Sequence, residues 1–165
     1  MELTKKDVEK IQEEITYRKT VLRPQLLEHL KSARSLGDLS ENFEYTMAKR
    51  ENNRNNSRVR YLENMIRTAK IIEDDSNPDE VGLGKRVTVY IPEDDVNESY
   101  KIVTSIRGDS TKGRISIDSP MGKALLSHHV GDEVEVRVND SFSYTVKIVE
   151  ITDAEDDNSD AIRQY

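Results

Sequence analysis

Two hydrophobic periodicities divide this chain. Val8, Ile11, Ile15, Leu22, Leu26, Leu30 and Ala33 are spaced by three, four or seven residues, and Val59, Leu62, Ile66 and Ala69 follow at 3-4-3. Repeats near 3.6 put each set on one face of an α-helix. After Gly84 the period becomes two, in Val87/Val89/Ile91, Ile115/Ile117, Val134/Val136/Val138 and Tyr144/Val146/Ile148. That alternation belongs to strands with one covered face. The chain therefore reads as α+β, a helical part followed by a small antiparallel sheet.

The first helix is predicted over roughly residues 4–34, opened by Thr4 with Asp7 three residues on, a near capping box. Pro24 falls inside it and should kink the helix, because the apolar stripe continues in phase beyond. Ser35-Leu36-Gly37-Asp38 breaks the pattern. Ser40 then suits the cap of a second helix running to about Ile72. Two helices of similar length around a short break make an antiparallel coiled-coil hairpin, about 45 Å long at 1.5 Å per residue. Its distal part, Asn52 to Asn56, is almost purely polar, so little core is expected there.

Residues 1–75 are thus assigned to the hairpin, with its tip near 35–45, and the polar stretch 76–84 to a linker. Residues 85–152 form the second domain, and 153–165 an acidic tail expected to be disordered. Within the second domain, Asn139-Asp140 marks a hairpin turn, and Ser119-Pro120 reads as N-cap and first residue of one short helix.

Composition narrows the function. The chain has no cysteine, which excludes disulfides, thiolate chemistry and zinc ribbons. No run approaches the ~20 apolar residues of a membrane span, and the start MELTKKDVEK has no apolar stretch, so a cytoplasmic location is expected. The net charge of −7 is uneven. Between Lys49 and Lys70, Lys49, Arg50, Arg54, Arg58, Arg60, Arg67 and Lys70 face only Glu51 and Glu63, a stripe that suits either phosphate contact or a solvated helix face. The break between the helices carries Asp38 and Glu41. Two exposed carboxylates there can ligate a hard divalent cation such as Mg²⁺, though they are too few for a closed site. Equally, they can serve the dipole at the start of the second helix. His29, near the polar edge of the first helix, reads as a surface or structural residue, and so do His128 and His129, since adjacent residues on an extended chain point to opposite sides.

Ala33-Arg34 through Gly37-Asp38-Leu39-Ser40-Glu41-Asn42, then Glu44-Tyr45 and Lys49, resembles the coiled-coil tip signature of the Gre family of bacterial transcript-cleavage factors. Ile115-Ser-Ile-Asp-Ser-Pro-Met-Gly-Lys-Ala-Leu-Leu126 with Val130-Gly-Asp-Glu-Val134 is similar to the signature of that family's C-terminal domain. Leu62-Glu-Asn-Met-Ile-Arg-Thr-Ala-Lys-Ile-Ile72 ends the second helix in the family manner.

The resemblance implies an FKBP-like second domain and a hairpin that enters the secondary channel of bacterial RNA polymerase, where the polymerase cuts backtracked nascent RNA at its 3′ end. It makes Asp38 and Glu41 the catalytic pair, holding Mg²⁺ jointly with polymerase and none in the isolated protein. It places Arg34 and Lys49 in an RNA-facing patch that Arg50, Arg54 and Arg58 extend, and Asp118, Ser119 and Pro120 in the loop that docks on polymerase. It implies a chain with no complete active site of its own, so not an enzyme; the single break at Gly37 lets each stripe pair within the chain, so a monomer is expected, and without an apolar run no membrane partner is. Phe43 departs from the family pattern, which has a small residue there; buried, it would clamp the tip, and exposed, it would contact polymerase or an RNA base. The basic density leans toward the GreB type, while the end of the second helix suits GreA equally. The alternative is a Gre-like channel-binding inhibitor without cleavage stimulation, and inhibitory relatives alter the tip, whose acids are intact here. A prolyl isomerase would need an aromatic-lined pocket, and residues 84–152 hold few aromatics.

Overall fold

The computed structural model describes residues 1–35, 43–154 and 162. The chain divides into two compact units, Met1 with Lys5–Lys70, and Glu2–Thr4 with Ile71–Tyr165.

The first unit is a helical hairpin. Helix α1 (Lys5–Tyr17) begins directly after Thr4 and passes through a π-turn (Arg18–Leu22) into α2 (Arg23–Ser35); α3 (Phe43–Thr68) packs against them. The π-turn gives the expected disturbance at Pro24 a specific form. Proline lacks an N–H and its ring crowds the carbonyl four residues back, here that of Thr20. Widening the preceding turn to five-residue hydrogen bonds, as in Arg23 N–H to Arg18 C=O, makes room without breaking the helix.

The core of this unit is uneven. Ile11, Ile15, Val59, Leu62 and Met65 are buried in its proximal half, whereas Ala33 and Ala48 are the buried hydrophobics toward the distal end among the described residues. Met65 takes the buried position that the 3-4-3 pattern assigns to Ile66, which is only half-buried. The second helix also ends earlier than its pattern suggests. Lys70–Ile71 form strand β2 beside β1 (Glu2–Leu3), with Lys70 N–H donating to Met1 C=O at 3.0 Å and Ile72 N–H to Leu3 C=O at 2.8 Å. Backbone pairing with the N-terminal residues replaces the last helical turn.

The second unit carries a five-stranded sheet and one short helix. Its strands are β3 (Lys85–Ile91), β4 (Val96–Val103), β5 (Arg114–Ser116), β6 (Glu133–Asn139) and β7 (Phe142–Asp153), in the order β5-β4-β3-β7-β6; α4 spans Pro120–Leu125. Val81, Val87, Val89, Ile102, Leu125, Val136, Val146 and Ile148 make the core. The sheet is mixed rather than wholly antiparallel, because β4 and β5 run parallel, joined by the Thr104–Gly113 crossover. Strand β4 was not legible in the sequence: its first half extends the hairpin into solvent, so its burial does not alternate. A bulge opposite Thr88/Val89 leaves Val149 exposed within β7.

The polar stretch read as a linker is part of this unit. The Asp74 carboxylate accepts from Leu83 N–H at 3.1 Å, Val81 is in the core, and the Lys85 ammonium donates to the Asn77 and Glu80 carbonyls. Composition suggested a tether, but backbone and ammonium donors satisfied by that polar chain order it. Of the tail, Asp153 closes β7, and residues 155–161 and 163–165 lie outside those described.

The segment from Ser116 to α4 admits no side chain at Gly122. A Cβ there would stand 2.0 Å from the Ser116 carbonyl oxygen and 3.1 Å from Ile117 Cα, both backbone atoms. Gly122→Ala should cost about 2 kcal/mol or more through overpacking. Scanning calorimetry of the full chain should show the transition of the second unit lowered by roughly 10 °C.

Candidate functional site

Asp38 and Glu41, with Gly37, Leu39, Ser40 and Asn42, lie outside the described residues. What the structure places is the frame on either side of them. Arg34, in the last turn of α2, is exposed, as are Lys49, Arg50 and Arg54 along α3. Phe43, the first residue of α3, is 75% exposed, so it makes no apolar clamp with the described residues.

Arg58 differs from the other arginines. Its Nε and Nη2 donate to the two carboxylate oxygens of Glu14 at 3.0 and 3.1 Å, and its side chain is 9% exposed. Glu14 also accepts from Arg18 Nε at 2.7 Å. Arg18 in turn donates from Nη1 to Asn55 Oδ1 at 3.2 Å, and Asn55 Nδ2 donates to the Arg18 carbonyl at 3.4 Å. Burial pushes the Glu14 carboxyl up, but hydrogen bonds and charge from Arg58 and Arg18 outweigh it and hold its pKa below the ordinary value of 4.5. Arg58, expected in the RNA-facing patch, is drawn into the hairpin, where a carboxylate on the opposite helix claims its guanidinium. Sequence reasoning missed Glu14 and Asn55. The one available signal was a run of asparagines where a helix core would be apolar.

The second group, Asp118-Ser119-Pro120, sits on a tightly hydrogen-bonded loop. Ser119 Oγ accepts from Gly122 N–H at 3.0 Å and donates to Ser116 C=O at 2.6 Å, with Pro120 as the first helical residue. Asp118 N–H donates to Ser116 Oγ at 3.0 Å, and its carboxylate accepts from Ser105 Oγ, which lies 3.0 Å from Ser116 Oγ. Asp118 and Pro120 face solvent, while Ser105 and Ser116 fix how the aspartate is presented. Ser105 does not stand out in the sequence, and Ser116 lies in the C-terminal-domain signature with no role assigned to it. Beside this loop a cleft of about 570 Å³ is lined by Ser105, Arg107, Asp109, Arg114, Ser119 and Ile162.

Comparison with known proteins supplies the assignment. Residues 1–71 match the family model described as transcription elongation factor, N-terminal, and residues 75–153 the model for the GreA/GreB C-terminal domain. The chain belongs to the GreA/GreB family of transcription elongation factors.

Among its relatives, a GreA of Geobacillus kaustophilus is 51% identical over 82% of this chain and 86% of its own length. A GreA of Bacillus subtilis is 49% identical over 91% and 95%. These relatives carry the GreA name, although the basic density of α3 leans toward GreB. The crystal structure of the Gre factor homolog Gfh1 of Thermus thermophilus is 26% identical, covering 92% of this chain and 97% of that one, with a TM-score of 0.41, too loose an overlap to bear on the assignment. Among the described residues of this Gre-family chain no group of three or more histidines, cysteines or acids is placed to hold a metal, and no helix is long and apolar enough to cross a membrane.

A depressed carboxylate stabilises the fold above its ordinary pKa and loses that contribution as pH falls through its folded value. Glu14→Gln should therefore lower stability at pH 7. The gap between variant and wild type should close as pH drops below 4.5. Urea unfolding followed by helical circular dichroism across that range checks the sign.

Proposed function

We propose that this chain binds bacterial RNA polymerase, inserts its hairpin into the secondary channel and stimulates the polymerase to cleave backtracked nascent RNA near the 3′ end. The observation that carries this reading is the intact acidic pair, Asp38 and Glu41, within the tip signature of a chain 51% identical to a named elongation factor. The names of the relatives favour an elongation factor over a channel-filling inhibitor.

In this role the chain positions groups rather than completing an active site. Asp38 and Glu41 are hard oxygen donors of the kind magnesium takes, too few to hold it alone, so they fit a site shared with polymerase. When bound there, the ion supplies charge neutralisation and an activated water for phosphate displacement. Arg34, Lys49, Arg50 and Arg54 would offset RNA phosphate charge beside the tip. Asp118 and Pro120 would contact polymerase, the aspartate oriented by Ser105. The chain would act as a monomer and have no nuclease activity by itself.

Asp38→Asn or Glu41→Gln should reduce cleavage in stalled, backtracked elongation complexes by at least about 100-fold, beyond the loss typical of an outer-shell partner. Polymerase binding should persist. Wild-type cleavage from both variants would sink the metal-holding role.

Asp118→Asn keeps an oxygen that can accept from Ser105, and Pro120→Ala removes only the proline's restraint at the start of α4, so stability should change by no more than about 1 kcal/mol. Polymerase affinity should fall, as measured by competition with labelled wild-type protein. Unchanged affinity would move the docking surface elsewhere.

A further inference from the structure

The solvent face of α3 carries an ordered stripe. At 100° per residue, Phe43, Arg50, Arg54 and Tyr61 fall at about 0°, 340°, 20° and 0° around the helix. Ala48, Asn55, Val59 and Leu62, all buried, fall between about 100° and 160°, on the side that packs against the other helices, and Met65, buried near the end of the helix, falls at about 40°. Glu44 and Glu51 lie about 80° to 100° away from the stripe. One narrow exposed face therefore presents an aromatic ring, two guanidinium groups and a second ring, with no acid among them. Phe43 is 75% exposed and Tyr61 42%; Arg58 lies over the Tyr61 ring at 5.7 Å, so Phe43 offers the more open ring.

An exposed phenylalanine gains nothing from water, and its place in line with cations limits what it can receive. A purely apolar partner surface would have to desolvate Arg50 and Arg54 without pairing them, at a cost of several kcal/mol per charge. A single-stranded nucleic acid meets both needs, since a base stacks on the ring while phosphates pair with the cations. Arg50 and Arg54 stand about 6 Å apart along the helix axis, with Phe43 about 10 Å beyond toward the tip.

We propose that Phe43 is a base-stacking residue for single-stranded RNA, which lies along this stripe with phosphates on Arg50 and Arg54. This rests on the transcript-cleavage reading above and adds to it a residue that selects by base. Stacking is worth about 1–3 kcal/mol per base and is open to any base, but a two-ring purine covers more of the phenyl face than a one-ring pyrimidine. The stripe thus favours transcripts that place a purine against Phe43.

The test uses the full chain bound to backtracked elongation complexes with 6-thioguanosine or 4-thiouridine at the RNA 3′ end. Photocrosslinking to the chain is measured in an Asp38→Asn background, so that the transcript stays intact. Phe43→Ala and Phe43→Leu should each cut the crosslink about 10-fold with the purine and less with the pyrimidine, while Phe43→Trp should keep it. Polymerase affinity should be the same for all of them. Full crosslinking by Phe43→Leu would mean that an apolar polymerase surface covers the ring, and it would overturn the proposal. So would an unchanged Phe43→Ala, or no crosslink from the parent chain. Failure of the underlying reading looks different: with Asp38 intact, the chain would bind polymerase and leave the RNA uncut, while the crosslinks still decide the role of Phe43.

Discussion

The hairpin depends on a polar clasp near its middle, the Glu14 carboxylate held between Arg18 and Arg58. Apolar stripes bring two helices together but distinguish poorly between registers one turn apart, since one aliphatic contact resembles another. A one-turn slip would offer Glu14 the guanidinium of Arg54 in place of Arg58, but it would put Glu51 or Val59 where Asn55 bonds to Arg18. Breaking a partly buried pair strands a charge, which makes wrong registers costly even where the right one gains little. Asn55, bonded to both the side chain and the carbonyl of Arg18, adds directional bonds of the kind that set register in coiled coils.

This clasp also explains how the distal half can be so thin. Beyond it the buried hydrophobics among the described residues are two alanines, which cover little apolar area. The far end is carried by helix continuity and by the register set lower down. The π-turn at Arg18–Leu22 lies beside the clasp and keeps α1 and α2 continuous in spite of Pro24. A long helix with a thin core leaves its outer face free of packing duties. The exposed cations and Phe43 occupy that face.

The second unit handles its surface group differently. Asp118 and Pro120 project from a loop whose backbone is drawn against α4 so closely that only glycine fits at position 122. Ser105 and Ser116 restrain the aspartate from the crossover and from β5. The parallel β4–β5 pair brings those serines together across 11 residues of chain, so the crossover serves the loop as well as the sheet.

Much of this was legible from the sequence alone. The 3.6 and 2.0 periods identify a helical unit followed by a β unit, Ser119-Pro120 marks the start of α4, and the two signatures point to the family. These signals survive because each depends on residues within a few positions of one another, where backbone geometry dictates the spacing. Tertiary structure decided the rest. It alone separates Arg58 from Arg50 and Arg54, because its carboxylate partner lies 44 residues away on another helix. It alone turns a polar stretch into packed chain around Asp74 and Val81, and makes β5 parallel. Which side chain meets which across such separations depends on how the elements lie on one another, and no local pattern in this sequence records that.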